Sequence, residues 1–483
     1  MIARANTTAI ELLYDDILSH ILQYLPIQFL LKVCLCVSKH FHRIILNIPN
    51  LELVSEKWNS FHDAPITRNN FLQFIKSSHY LRNLTSLQCD LGEMDVSPLT
   101  ECENFKNLTC LQIRSTDATS LKTLAHSSNL TKLNKFMLGF GRYSDHMPNI
   151  SVLQTLVQSQ NFSNVKELHL EFTCFHQDIV KVISESQVLK LSGNLTVLSL
   201  SGVIIGFEDA QCFSQAEAFR NLKTLQLNEC SLESPRNQLS QGLSIQHYNS
   251  LTKRNECLGG MGLIALEKKC HFSKNLTSLT INSSNLVAAD LKEIIYFEQL
   301  KTLNLYRNRK IGSNGAQYLA TSCENLKTLT CLNLSWCGIG GEGFMYLIRC
   351  PYWNHLETLS VSNNNIQEHH ALQSLGEEGV LLQQHLTYLD LTFNDIDHEG
   401  IIALAQSCEK FHRLQHVHVS ATSLNESAAK SVLNCEKFAK LKTFSLHAVC
   451  HHELYCELIM KKFPKSNVYG FFKQERKQTC QIY

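Results

Sequence analysis

No stretch of this chain approaches the roughly 20 consecutive apolar residues that a membrane-spanning helix needs, although 44% of its 483 residues are hydrophobic. No apolar core precedes the acidic pair Asp15 and Asp16, so no secretory leader is expected there. An excess of one charge is missing too, because 44 Lys and Arg stand against 43 Asp and Glu. A net charge of +1 gives no electrostatic reason to expect nucleic acid or an anionic membrane as partner. The chain is expected in cytoplasm or nucleus. Signatures of cofactor and catalytic chemistry are also lacking. Gly259, Gly260 and Gly262 are not followed by the G-K-[ST] ending of a phosphate loop, and nothing like G-x-S-x-G surrounds Ser445. The 19 cysteines are odd in number and contain no C-x-x-C pair, which argues against a disulfide framework. No cofactor is expected.

What is present is a period. Leu329, Leu332 and Leu334 hold the spacing L-x-x-L-x-L, and Leu356, Leu359 and Val361 hold it again 27 residues later. Between them Phe344, Leu347 and Ile348 follow a helical spacing after the glycines Gly340, Gly341 and Gly343. The same pattern starts at Leu84, Leu108, Leu133, Val165, Leu195, Leu222, Leu276, Leu300, Leu386, Leu414 and Leu441, mostly at intervals between 24 and 32 residues. A strand, a turn and a helix at this period resemble a leucine-rich repeat. One interval, from Leu222 to Leu276, is 54 residues. The spacing of Cys257 and Cys270 matches that of Cys337 and Cys350, so a degenerate repeat with its strand at Asn249-x-x-Thr252-x-Arg254 is expected inside it. That gives fourteen repeats over residues 81–450, irregular at 228–258.

The fold class that follows is α/β, a leucine-rich-repeat solenoid with a parallel concave sheet and outer helices. Strands stack about 4.8 Å apart and helices about 10 Å, so such a stack bends into a horseshoe with its strands inside. Positions one, four and six of each repeat are expected to point into the core, with positions three and five on the concave face. Another apolar column stands three residues before the strands: Phe105, Phe162, Phe219, Phe297, Leu326, Trp353, Phe411 and Phe438.

Register also explains residues that would otherwise suggest chemistry. Cys102, Cys270, Cys323, Cys350, Cys408 and Cys435 each stand six residues before the next first position. Cys230 and Cys337 occupy the ninth position, where Asn308, Asn364 and Asn394 sit elsewhere. Small side chains recurring at one repeat position read as packing residues. The cluster Cys450-His451-His452 with Cys456 has metal-binding composition, but its place assigns it to the C-terminal cap. Asn83, Asn107, Asn194 and Asn275 match the glycosylation triplet, yet all precede Leu-Thr at the start of a strand.

Ahead of the repeats, Ile17, Leu18, Ile21, Leu22 and Leu25 mark one face of a helix that Pro26 ends. About 40 residues cannot close an independent core, so this apolar segment needs a partner surface. It resembles an F-box in Asp16-Ile17-Leu18, in Ile21 with Leu25-Pro26, in Leu30-Leu31, and in Val37-Ser38-Lys39 with Phe41. Leu13-Tyr14 departs from the usual Leu-Pro of that pattern. The resemblance, over residues 10–52, implies three helices that bind a Skp-family adaptor and join a cullin–RING ubiquitin ligase. The adaptor-binding residues it implies are Leu13, Ile17, Ile21, Leu25, Pro26, Leu30, Val37 and Phe41. Residues 53–80 are expected as a linker and N-terminal cap. Residues 451–483 are expected as a C-terminal cap, with Leu454, Leu458, Phe463 and Phe471 closing the far end.

On the concave face only Lys135, Glu167 and Asp390 are charged across positions three and five, a composition suited to hydrogen bonding a protein surface. Asp390, His418 and Ser445 share position five in three successive repeats and should be lateral neighbours. They have the composition of a hydrolase triad, but an exposed sheet face supplies neither an oxyanion site nor a dry pocket. The conspicuous cluster is Tyr306, Arg307, Trp336, Tyr388 and Phe393, with His416 and His418 nearby. Aromatics and arginine dominate protein interfaces, so these seven are the candidate target-binding residues. The competing reading packs the aromatics on the next turn. The leading functional expectation is a non-enzymatic substrate receptor of a ubiquitin ligase, and the alternative is a scaffold outside ubiquitin transfer. A GTPase activator of the Ran-activating kind is disfavoured by the short basic tail.

Overall fold

The computed structural model describes residues 51–54, 84–92, 100, 103–115, 118–139, 150–176, 178–205, 209, 212–213, 215–232, 272–450, 453–463 and 468–472. The F-box residues from Leu13 to Phe41 therefore lie outside the described residues, as do the expected strand at Asn249–Arg254 and the pair His451 and His452. The chain forms two compact units, residues 1–201 with 216–221, and residues 202–215 with 222–483.

In the first unit the strands are β1 (Leu51–Val54), β2 (Leu84–Gly92), β3 (Cys110–Ser115), β4 (Lys135–Gly139), β5 (Glu167–His176) and the first half of β6 (Val197–Ile205). They pair in sequence order. The second unit holds β7 (Thr224–Asn228), β8 (Ser231–Leu232), β9 (Ser278–Asn282), β10 (Thr302–Asn304), β11 (Cys331–Asn333) and β12 (Thr358–Ser360), then β13 (Tyr388–Ile396), β14 (His416–Leu424), β15 (Thr443–Cys450) and β16 (Val468–Phe472). From β9 to β16 each pairs in parallel with the next, in repeat register from β9 to β15 apart from shifts after Leu391 and after Ala421.

The leucine positions build the core as their spacing requires. Leu329, Leu332 and Leu334 are buried, as are Leu356, Leu359 and Val361 and their equivalents back to Leu108, with Leu84 and Leu87 before them. Each such side chain contributes about 1.5–3 kcal/mol on burial. The column before the strands is buried throughout, from Phe105 to Phe438, Trp353 included. Helices such as Gly312–Ser322 and Gly340–Ile348 lie side by side across the core from the strands. A Cβ on Gly343 would stand 3.1 Å from the Ser313 Cα and 3.2 Å from the Ala316 Cβ, so glycine sets that close approach.

Position two explains the Asn-Leu-Thr triplets. The Thr109 hydroxyl donates to the Thr85 carbonyl, Thr196 to Lys166, and Thr277 to Lys223, at 3.1–3.2 Å, each stitching one repeat to the one before. The cysteines follow the register too: Cys323, Cys350, Cys408 and Cys435 are buried free thiols.

Several expectations are corrected. β7 pairs directly with β9, Leu225 beside Leu279, so the sheet has no place for a strand between them, and among the described residues thirteen strands carry the leucine spacing. The sheet also starts and ends beyond 81–450. β1, at the expected boundary between residues 52 and 53, pairs with β2, while β16, inside the expected C-terminal cap, pairs with β15. In that cap Ile459 and Phe463 are buried, but Leu454 and Leu458 are 61% and 40% exposed and do not close the end. Two position-five residues, Thr280 and Ser445, are buried rather than outward. No described helix is long and apolar enough to cross a membrane.

Candidate functional site

A bend at positions five to ten of the repeats from β9 to β13 places the candidate site. Position five begins it: Asn304, Asn333 and Asp390 each accept a hydrogen bond from the backbone N–H two residues on, at 2.9–3.1 Å. Such an Asx turn bends the chain; it ends β10 and β11, and in β13 it precedes the register shift between Leu391 and Ile396. Position eight then adopts the left-handed conformation, at φ +53° in Ser283, +61° in Arg307, +60° in Trp336, +52° in Asn363 and +56° in Phe393. This rotation lets the position-eight N–H donate to the position-seven carbonyl of the next repeat, as in Arg307 to Ser335, Trp336 to Ser362 and Asn363 to Thr392, all at 2.9 Å. Arg307 is therefore itself a position-eight residue, in register with Trp336 and Phe393.

Position nine locks the turn from below. The Asn364 side-chain oxygen accepts from Cys337 N and Ile339 N at 2.9 and 3.2 Å, and its amide donates to Leu334 O and Ser362 O. Asn308 and Asn394 repeat the pattern. Cys337 is a weaker substitute in the same column, its thiol donating to Leu305 O at 3.1 Å. Burial pushes that thiol up to about 12.

With the turns fixed, the seven candidate residues fall into two groups. Tyr306, Arg307, Trp336 and Phe393 occupy the rim formed by successive turns. The Arg307 and Arg309 guanidinium carbons lie 5.7 and 4.8 Å from the centre of the Trp336 ring, and Arg307 also lies 6.0 Å from that of Tyr306. Such cation–π contacts are worth about 0.5–1 kcal/mol when exposed. Trp336 and Phe393 flank a cleft of about 400 Å³ that is also lined by Arg309, Gly338, Asn363, Asn364, Asn365 and Asp395. Phe393 is 65% exposed. Spacing alone missed Arg309, Asn365 and Asp395, although the recurrence of Asn or Gly at position ten (Asn285, Gly338, Asn365) signals the same turn.

Tyr388, His416 and His418 form the second group, on the sheet face. The Tyr388 ring lies 5.2 Å from His418 and 6.1 Å from His416 in tilted arrangements. Burial lowers the His418 pKa, against the opposing pull of Asp390, and burial raises that of the Tyr388 hydroxyl. No ring contact joins these three to the rim group.

The row Asp390, His418 and Ser445 is paired strand to strand as the spacing requires. It does not form a relay. Asp390 is occupied by the Thr392 hydroxyl at 2.7 Å and N–H at 3.0 Å, and by the Ser360 hydroxyl at 3.1 Å. Ser445 is only 4% exposed, and no hydrogen bond links the three. In the first unit the two concave-face charges pair with each other, Lys135 Nζ to Glu167 Oε2 at 2.9 Å. The lysine holds the Glu167 carboxyl below its ordinary range, while burial lowers the pKa of neighbouring His169.

Comparison with known proteins adds the part of the chain that geometry does not describe. A model of the F-box domain matches residues 10–53, and a leucine-rich-repeat model matches residues 325–347 and 383–405. Tubulin-specific chaperone E of Danio rerio is 24% identical over 233 residues, 48% of this chain and 36% of that protein. The chain thus spans little more than a third of that relative's length. Similar solved structures include the Rad7–Elc1 complex of yeast, at 15% identity and a TM-score of 0.43, covering 94% of this chain and 92% of that one. An internalin of Listeria monocytogenes, at 16% and 0.39, covers 88% and 94%. A leucine-rich-repeat protein of Leptospira interrogans, at 18% and 0.40, covers 88% and 96%. With the repeat register seen strand by strand, the two family matches give this chain an F-box domain ahead of leucine-rich repeats, a combination that supports a protein-interaction or substrate-adaptor role.

Proposed function

We propose that this chain is a non-enzymatic substrate-recognition subunit of an SCF-type cullin–RING ubiquitin ligase. The single observation that carries the reading is the F-box match over residues 10–53, placed directly ahead of a repeat array. In it Ile17, Ile21, Leu25, Pro26, Leu30, Val37 and Phe41, with Leu13 at the entry, give an apolar surface to a Skp-family adaptor. The repeats hold a protein target through the aromatic and arginine side chains between Tyr306 and His418. Joining the two in one chain raises the effective concentration of target lysines near the transfer machinery.

Copurification of the full chain with a Skp-family adaptor is the decisive experiment. The wild type should bring the adaptor down in near-equal amount, and the double variant Leu25→Ala, Pro26→Ala should lose it while the far-ultraviolet spectrum of the repeats is kept. A folded wild-type chain that fails to bind would overturn the ligase reading and leave a leucine-rich-repeat scaffold outside ubiquitin transfer.

A further inference from the structure

The rim cleft carries features that the fold itself does not call for. In the repeats from β9 to β13 position eight has a left-handed backbone, which Asn363 adopts readily. Arg307, Trp336 and Phe393 adopt it too, although bulky side chains are disfavoured there by roughly 1–2 kcal/mol each. Backbone strain of this kind persists where something other than stability selects the side chain. The Arg307 and Arg309 guanidiniums make no ion pair or hydrogen bond among the described residues; Trp336, with Tyr306 beside Arg307, only holds them in place. Two oriented forks with open donors fit a carboxylate.

The lining of the cleft also changes in character from one end to the other. Arg309, with Arg307 beside it at the Trp336 ring, makes one end cationic, Trp336 and Phe393 make the middle apolar, and Asp395 lies at the other end. Strands at about 4.8 Å spacing put Trp336 and Phe393, two repeats apart, about 10 Å from each other with Asn363 between. The arginine repeat lies the same two steps, about 10 Å, from the middle of that slot, a distance three residues of extended chain cover.

We propose that this cleft captures an extended segment of a protein target in which a carboxylate side chain on Arg307 and Arg309 stands three residues from an apolar side chain held between Trp336 and Phe393. Asp395 selects against a second acid beyond the apolar residue. The inference rests on the reading of the repeats as a target receptor, but not on the adaptor.

The test selects a random dodecapeptide display library on the immobilised full chain at low salt, then titrates the most enriched peptide by fluorescence anisotropy. The expected enrichment is Asp or Glu three positions from Leu, Ile, Phe or Trp. Binding should fall at least tenfold in Arg307→Gln, Arg309→Gln and in Trp336→Asn, and should be unchanged in the helix-side control Lys327→Ala. Trp336→Asn keeps a residue suited to the turn, so its fold should survive, which a thermal melt checks. Enrichment without the acid, binding indifferent to the arginine pair, selection only of phosphorylated peptides from a parallel phosphoserine library, or no enrichment at all would each overturn the proposal. Adaptor copurification on the same preparations separates this outcome from failure of the ligase reading.

Discussion

Replacing Phe393 by Asn separates the two readings of the rim aromatics. Phe393 holds φ at +56° with its ring 65% exposed. If the ring is an anchor awaiting a partner, the substitution removes left-handed strain of about 1–2 kcal/mol for a bulky residue, of which Asn keeps only part. Against that stands the lost burial. A fully buried Phe is worth about 1.5–3 kcal/mol, and with about a third of the residue covered the loss is about 0.5–1 kcal/mol. The terms nearly cancel, so Phe393→Asn should leave stability unchanged or slightly raised. Phe411, by contrast, is buried in the column ahead of its strand, and Phe411→Ala should cost about 3–5 kcal/mol. Urea unfolding followed by far-ultraviolet circular dichroism compares both variants with the wild type under one protocol. A loss of about 2 kcal/mol or more in Phe393→Asn, the size of a buried-core effect, would mean that the ring is seated on the neighbouring turn. Phe393 would then be a packing residue and not an anchor for a partner.

Two further variants probe the frame beneath the site. Asn364→Ala leaves two backbone N–H groups and one carbonyl without their buried partners, at about 1–3 kcal/mol for each unsatisfied group. It should therefore cost about 3 kcal/mol or more, and urea unfolding that shows less than 1 kcal/mol would mean water replaces the asparagine. Burial raises Cys323, Cys350 and Cys435 to about 12 and Cys408 well above its ordinary value. Iodoacetamide at pH 8 should spare these four until urea is added while reaching half-exposed Cys110; rapid native labelling of the four, or zinc copurifying in stoichiometric amount, would refute their role as packing thiols.

The leucine columns were legible because a repeat places the same demand on the sequence many times, so a few exceptions do not hide it. Where the demand is made once, legibility fails. β1 is four residues, Leu51–Val54, whose alternation is too short to separate a sheet edge from the end of the F-box. β16 lies in a tail without the leucine spacing, and its pairing is set by β15 rather than by a motif of its own. In the 54-residue interval the cysteine and glycine spacing suggested a repeat strand, but spacing outside the strand cannot show that β7 pairs directly with β9.

The rim failed to be legible for the opposite reason. Its rule is repeated, but it is a rule about φ, and only Gly and Asn announce a positive φ in their names. Asn363 and Gly338 announce it; Arg307, Trp336 and Phe393 conceal it, so they read from sequence merely as aromatic and basic residues after a strand. The structure turns that concealment into information. A turn that Asn satisfies in one repeat, yet that holds Arg, Trp and Phe in its neighbours, has given up local fitness at those positions. Local rules are broken in this way chiefly at functional sites. The strain falls on Phe393, whose ring is exposed, on Arg307, whose guanidinium has no ion pair or hydrogen bond among the described residues, and on the half-buried Trp336 that both arginines approach.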